Sequence, residues 1–389
     1  MKIRKAALIV IDALGVGALP DAAAYGDEGA NTFGHLYEAC HPDIPNLSDL
    51  GLLAAAGIPS EEDPLGCYGK LKEASQGKDT TTGHWELAGL IVKEPFPVFP
   101  NAFPEELIRQ VEEEIGMGVI GNEVASGTEI IERLGALHVD TGKPIVYTSA
   151  DSVFQIAAHE AIIPPMELWH MCRNLRRRVL VGPYGVSRVI ARPFVGDFGA
   201  FQRTGNRRDF SLDPTGKTML DLLKAAGRDV IGIGKIEDIF NHRGLTDSNH
   251  ATGNAACLDA LAEALKKPRL NGLVFANLVD TDMLYGHRRD AIGFGKALEE
   301  IDRRLPEIMG LLGNDGLMII TGDHGCDPTY KGTDHTREYT PVLCWSLAAQ
   351  DGVNLGERES FADVSATILE ALGLRNTLDG TSFWNDIKL

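Results

Sequence analysis

Short unbroken apolar runs, divided by glycine-rich and acidic turns, set the rhythm of this chain. Residues 6–11, 229–233, 273–279 and 317–320 lack the alternation of a strand with one wet face, and each predicts a strand buried on both sides. Between them, the pattern predicts helices over 217–226, 254–266, 292–312 and 361–372, the third bent at Pro306. Strands alternating with helices in this way predict an α/β fold with a mostly parallel central sheet flanked by helices. No internal repeat and no low-complexity tract interrupts the pattern.

The rhythm breaks between two connectors. Glu94-Pro95-Phe96-Pro97-Val98-Phe99-Pro100 predicts an extended passage, and Phe210-Ser211-Leu212-Asp213-Pro214 predicts a second. A core of residues 1–97 and 213–389 carrying an inserted domain, residues 98–212, accounts for both connectors. A length of 389 residues suits two domains.

Charge and cysteine usage narrow the partners. A net charge of -18 and a pI near 5.0 argue against nucleic acid and anionic membranes. Nothing approaches the roughly 20 apolar residues of a membrane span. Asp12 ends the N-terminal apolar run too early for an export signal. The six cysteines are scattered without zinc or redox spacing, so reduced thiols and a cytoplasmic setting are expected. Against this acidic background, residues 170–208 hold nine arginines, no lysine and one acidic residue, Asp197. Arg173, Arg176, Arg177 and Arg178 have helical spacing and predict a solvated face. Arg188, Arg192, Arg203 and Arg207 stand apart from that helix and are the better candidates for an anion pocket, because guanidinium groups suit bidentate phosphate contacts.

Three of the buried strands end in carboxylates. Asp12 follows the first, Asp280 and Asp282 follow residues 273–279, and Asp323 follows residues 317–320. His287, His324 and His335 lie close behind the last two. Ligands of open parallel sheets sit outside the carboxyl ends of the strands, so these groups predict a metal site of mixed oxygen and nitrogen donors, large enough for two ions. Asp12, Asp282 and Asp323 bring -3 against +4 from two divalent cations, which biases the loaded site toward a phosphate dianion. The donor mixture suits manganese, zinc or magnesium, with the histidines arguing against magnesium alone. A second polar cluster, Gly77-Lys78-Asp79-Thr80-Thr81-Thr82-Gly83-His84-Trp85-Glu86, opens toward a helix, and its threonines suit either a helix cap or an anion contact.

The order of Val10-Ile11-Asp12, Gly77-Lys78-Asp79-Thr80 with Gly83-His84-Trp85-Glu86, Asp282 to His287, Asp323-His324-Gly325 and Gly332-Thr333-Asp334-His335-Thr336-Arg337-Glu338 resembles the alkaline phosphatase superfamily of metalloenzymes. Tyr147-Thr148-Ser149-Ala150-Asp151-Ser152, residues 188–194 and Gly380-Thr381-Ser382-Phe383 narrow the resemblance, over nearly the whole chain, to the bacterial phosphopentomutase family. The resemblance implies an alkaline-phosphatase-like core with an inserted, smaller α+β cap domain. It implies interconversion of ribose or 2-deoxyribose 1-phosphate with the 5-phosphate, in nucleoside salvage, through a phosphothreonine and a pentose bisphosphate. Thr80 would be the acceptor hydroxyl; Asp12, Asp323 and His324 would hold one divalent ion, and Asp282, His287 and His335 the other. Manganese is the ion expected, with a sugar bisphosphate as activator. Substrate contacts would come from Ser149, Asp151, Arg188, Arg192, Arg203, Arg207 and Lys235. Thr81 stands where methionine is usual in the family and Cys326 where asparagine is common, so Thr81 and Thr82 stay open as acceptors. Three other readings use the same residues: a metal-dependent phosphatase or phosphodiesterase, a cofactor-independent phosphoglycerate mutase, and a catalytically silent phosphosugar-binding module. The arginine-bearing insert discriminates among the enzymes, since a mutase must retain a bisphosphate that a hydrolase can release.

Overall fold

The computed structural model describes residues 2–60, 63–149 and 152–389, so the expected substrate contact at Asp151 lies outside the described residues. The chain divides into two compact units, one made of the residues up to Pro95 with Pro214–Leu389, the other of Phe96–Asp213.

The first unit is built on an eight-stranded sheet. Its strands run in the order Asp247–Asn249, Asp229–Ile233, Gly272–Leu278, Lys5–Ile11, Gly316–Thr321, Thr340–Trp345, Cys67–Leu71, Asn354–Arg358. Only the two pairings made by Thr340–Trp345 are antiparallel. Lys5–Ile11 lies at the centre, with Ile11 opposite Leu278 on one side and Val10 opposite Thr321 on the other. Its apolar residues from Ala6 to Ile11 are fully buried, as a strand sandwiched between helical layers requires. The three carboxylate-tipped strands are therefore direct neighbours with level ends. This is the α/β fold with a mostly parallel sheet expected from the apolar runs.

Two details depart from the sequence pattern. The helix expected over 292–312 is two, Ala291–Asp302 and Leu305–Leu312, with Pro306 in the first turn of the second, where its missing N–H breaks no helical bond. After Gly272–Leu278 the chain does not enter a loop directly. It makes one π-helical turn, Thr281–Gly286, which carries Asp282.

The second unit holds a sheet ordered Ile120–Val124, Ile145–Thr148, Val153–His159, Arg188–Val195, Gln202–Arg203, with Arg208–Ser211 also paired to Arg188–Val195. Helices Glu105–Ile115 and Pro165–Arg178 cover one face through Leu107, Val111, Leu168 and Leu175. Helix Gly127–Thr141 covers the other through Ile130 and Ile131, packed on Ile145, Tyr147 and Phe194. The expected solvated arginine face holds for Arg177 and Arg178 but not for Arg176, which is buried and donates to the Val186 carbonyl. The helix turns that arginine inward to close the start of the neighbouring strand segment. Among the described residues, no helix is long and apolar enough to cross a membrane.

Candidate metal centre

Each ligand candidate in the first unit is delivered by a strand end or by a loop that doubles back to one. Asp12 and Asp323 follow the central strands, are fully buried and both face His324, whose Nε2 is 3.5 Å from Asp12 Oδ1 and 3.3 Å from Asp323 Oδ2. Reciprocal backbone bonds between Gly325 and Thr336, 3.1 and 2.8 Å, fold the segment after His324 back on itself. That return places His335 Nε2 3.5 Å from Asp282 Oδ1 and 3.2 Å from His287 Nε2, while His287 Nε2 stands 3.3 Å from Asp282 Oδ2. Asp12, Asp323 and His324 thus form one cluster of donor atoms, and Asp282, His287 and His335 a second beside it. His324 also lies within reach of Asp282 and His335, and Cys326 within reach of Asp282 and His287.

Two observations fit this set to divalent cations. Asp12 Oδ1, Asp282 Oδ1 and Asp323 Oδ2 are buried and have no hydrogen-bond partner among the described residues. Uncompensated buried carboxylate oxygens are costly, and three converging in one place call for positive charge. In addition, each histidine turns Nδ1 to a backbone carbonyl: His287 to Thr333 at 2.6 Å, His324 to Gly325 at 3.1 Å and His335 to Lys78 at 2.9 Å. With Nδ1–H donated to a carbonyl, the lone pair sits on Nε2, facing the carboxylates, the arrangement in which imidazole binds a metal.

Protonation in this geometry follows burial and charge. Burial, reinforced by Asp323 and Asp282, raises the Asp12 carboxyl to about 7. For Asp282, burial is outweighed by contacts with His287 and His335, which hold it well below the usual carboxylate range. Burial lowers His324 to about 4. His335 moves the other way, to about 9, because Asp282, Asp334 and Asp12 overcome its burial. The buried Cys326 thiol is pushed up, chiefly by burial, and stays a protonated neighbour.

Thr80 opens the helix Thr80–Leu87, and its Oγ1 is 3.1 Å from His324 Nε2. The cap of this helix is Asp79 rather than a threonine. Its carboxylate accepts from the amides of Thr81 and Thr82 and from the Thr82 hydroxyl, so those amides are not left for an anion. Lys235, at the head of the short helix Ile236–Ile239, is near enough to Asp12 to favour its charged form. The remaining candidates belong to the second unit. Arg192 Nε donates to Gln155 at 3.1 Å, Arg207 holds Asp209 through two bonds of 2.7 and 2.6 Å, and Arg188 lies 3.8 Å from Asp209. Arg203 sits exposed on the edge strand, and Ser149 is half-buried just after Ile145–Thr148. Arg192, Arg203 and Arg207 all act electrostatically on Tyr147.

Several contributors were invisible in the sequence reading. Asn277, inside a buried strand, donates to Asp12 Oδ2 at 3.0 Å. His84 Nδ1 is 3.2 Å from Asp323 Oδ2 and 2.9 Å from the Thr80 carbonyl, the closer of the two acceptors. Arg337, 2% exposed, donates to Glu73 and to the carbonyls of Glu73, Ser75 and Gly77, tying down the chain that leads to Thr80. Arg337 stood inside a recognised motif, but nothing local signals a partner more than 250 residues away.

Known proteins extend these observations. The family model for the metalloenzyme superfamily matches residues 4–376. The phosphopentomutase of Caldanaerobacter subterraneus subsp. tengcongensis is 53% identical over 390 residues, covering 100% of this chain and 99% of its own. That of Clostridium kluyveri is 53% identical over 380 residues, 97% of each chain. Among solved structures, the PH0037 protein from Pyrococcus horikoshii aligns with a TM-score of 0.52 at 15% identity, covering 98% of this chain and 100% of its own, a likeness of fold. Matched along its whole length by relatives of this kind, the chain belongs to the phosphopentomutase family of the metalloenzyme superfamily.

Proposed function

We propose that this chain interconverts the 1- and 5-phosphates of ribose or 2-deoxyribose, with Thr80 as the phosphate carrier. The observation that carries the assignment of Thr80 is its hydroxyl 3.1 Å from His324 Nε2, whereas the Thr82 hydroxyl is spent on Asp79 and Thr81 is 8% exposed. Asp12, Asp323 and His324 would hold one divalent ion and Asp282, His287 and His335 the other; the donor set suits manganese or zinc, and manganese is the ion that the family resemblance implies. Such a pair supplies activation of a hydroxyl and neutralisation of a transferring phosphoryl group.

The chain's own groups do the rest. Asp79 fixes the helix start, and His84, bonded to the Thr80 carbonyl, holds the residue against Asp323. From phosphorylated Thr80 the phosphoryl group passes to the free 5-hydroxyl of ribose 1-phosphate, breaking the threonine O–P bond and giving the 1,5-bisphosphate. The 1-phosphate then passes to Thr80, releasing the 5-phosphate and restoring the phosphorylated residue. A sugar bisphosphate primes the cycle by donating the first phosphate. Ser149, Arg188, Arg192, Arg203, Arg207 and Lys235, with Asp151, are assigned to the substrate.

Incubating manganese-loaded protein and a catalytic amount of sugar bisphosphate with ribose 1-phosphate should yield ribose 5-phosphate, and Thr80→Ala should yield none. Mass spectrometry should place the phosphate on Thr80. Stoichiometric release of inorganic phosphate without 5-phosphate would make the chain a hydrolase instead. Phosphate on Thr82 in an active Thr80→Ala variant would overturn the assignment of the carrier.

A further inference from the structure

Asn277 is the one polar side chain of the strand Gly272–Leu278, and it is fully buried. Its amide nitrogen stands between two acceptors. It donates to Asp12 Oδ2 at 3.0 Å and lies 3.4 Å from His84 Nε2. Phe275, two residues earlier and so on the same face of the strand, carries the His84 ring stacked on its own at 5.8 Å between centroids. The other ring nitrogen of His84 meets the Thr80 carbonyl at 2.9 Å. A carbonyl only accepts, so His84 Nδ1 carries the proton of that bond. Asp12 fixes the amide in the same way, since Asn277 turned over would set its oxygen against a carboxylate. Nδ2 thus gives one hydrogen to Asp12 Oδ2 and directs the other at a lone pair on His84 Nε2. Asn277 Oδ1 has no partner among the described residues, so the side chain acts through its nitrogen alone.

We propose that Asn277 is a positioning residue that ties a metal ligand to the phosphate carrier: through one amide nitrogen it orients the Asp12 carboxylate and, by way of His84, holds the backbone of Thr80. This rests on the reading of Thr80 as the carrier and of Asp12, Asp323 and His324 as the ligands of one ion. In that cluster each carboxylate has one oxygen held and one without a partner. Asn277 takes Asp12 Oδ2 and the Ala13 amide takes Asp323 Oδ1 at 3.2 Å, which leaves Asp12 Oδ1 and Asp323 Oδ2 for the ion. The Asp12 backbone is already secured by its amide bond to the Leu278 carbonyl and by the Thr281 hydroxyl on its own carbonyl. What Asn277 adds is the orientation of the carboxylate. Partners of this kind are worth about 10- to 100-fold in metal affinity. At its other end the chain of bonds reaches the residue whose hydroxyl is to be activated, so two side chains set the spacing between Asp12 and Thr80 before any ion binds.

The first test reads metal binding by the full chain with no substrate present. In an Asp282→Asn background, which disables the second cluster, manganese titration followed by electron paramagnetic resonance reads the ion at Asp12, and adding Asn277→Leu should weaken it about tenfold or more. In an Asp323→Asn background the remaining ion belongs to the second cluster, and Asn277→Leu should leave its affinity unchanged. That retained ion also shows that the leucine variant is folded. The Thr80 end is read by His84→Gln, whose side-chain oxygen can accept where Nε2 did but which has nothing in place of the Nδ1 donor. Its manganese affinity should match the wild type, while single-turnover transfer of phosphate from a sugar bisphosphate to Thr80 should slow by about tenfold to a hundredfold. Asn277→Leu with undiminished affinity in the Asp282→Asn background would overturn the proposal. Equal weakening of both ions would do the same, by making Asn277 a residue of the fold and not of the site. Wild-type transfer in His84→Gln would overturn the tie to Thr80. If the wild-type chain placed no phosphate on Thr80 while Asn277→Leu weakened only the ion at Asp12, the carrier reading would fall and the hold of Asn277 on Asp12 would stand.

Discussion

Replacing Gly83 by alanine pits helix propensity against the metal centre. In an exposed helix interior, glycine to alanine is worth about 1 kcal/mol of added stability. Gly83 lies in the helix that Thr80 opens, and a Cβ there would stand 2.1 Å from the Asp323 carbonyl oxygen and 3.1 Å from the Asp323 Cβ. Neither neighbour is a flexible side-chain end. To reach an ordinary contact the helix and the Asp323 loop must separate by about 1 Å or more. Overpacking of this kind costs about 1–3 kcal/mol, enough to cancel the propensity gain and reverse its sign. The functional loss is larger, because a displacement of about 1 Å between reacting groups costs on the order of a hundredfold in rate. Gly83→Ala should therefore lower turnover of ribose 1-phosphate by about two orders of magnitude and lower the melting temperature. Serine at this position should do at least as much damage. Wild-type turnover together with a raised melting point would refute the reasoning, since it would mean that the helix is free to move away from Asp323.

Arg337→Met should unfold more readily, by about 3–5 kcal/mol in denaturant titration, because the buried Glu73, whose carboxyl burial already pushes up, loses its cationic partner and the carbonyls of Glu73, Ser75 and Gly77 lose their donor. Double substitution with Glu73→Gln should recover part of that loss, and failure to recover any would mean the pair is not coupled. His335 sets a pH dependence for the metal-free chain. Its folded value near 9 exceeds the unfolded value of about 6.5, so the stability it contributes is fully present below the unfolded value and is lost as pH rises through the folded one. An ion must displace the same proton. Metal affinity should thus climb between pH 7 and 9 with protons released on binding, and a pH-independent affinity over that range would contradict the placement of His335 beside Asp282.

The strand ends were legible because of a physical coincidence of parallel sheets. A strand buried on both faces must be an unbroken apolar run, so the first carboxylate after it marks the edge where ligands collect. Asp12, Asp282 and Asp323 could be read in this way, with His287, His324 and His335 close behind the last two. Which strands are neighbours could not be read, because the register that levels Ile11 with Leu278 joins residues far apart in the chain. Asn277 was hidden by the rule that exposed Asp12, since one polar residue in a buried run looks like filler until its partner is known. Arg176 shows the limit of helical spacing, which locates a face but not what covers it.

The ligand set at the sheet edge does not by itself separate a mutase from a hydrolase. Both need a poised hydroxyl and neutralised phosphoryl oxygens, and the donors around Asp12 and Asp282 would serve either. The separation must lie in what keeps a sugar bound after it has accepted a phosphate. Here the two units offer anion receptors of different chemistry. The core gathers carboxylates, which attract phosphate only through cations, whereas the insert carries guanidinium groups, which attract phosphate directly. A sugar carrying two phosphates is the species a mutase has to hold in the middle of its cycle. The same division explains why the arginines are concentrated in the insert of a chain that is otherwise strongly acidic. Placed beside the core carboxylates they would form ion pairs there and compete with the divalent ions for Asp12, Asp282 and Asp323.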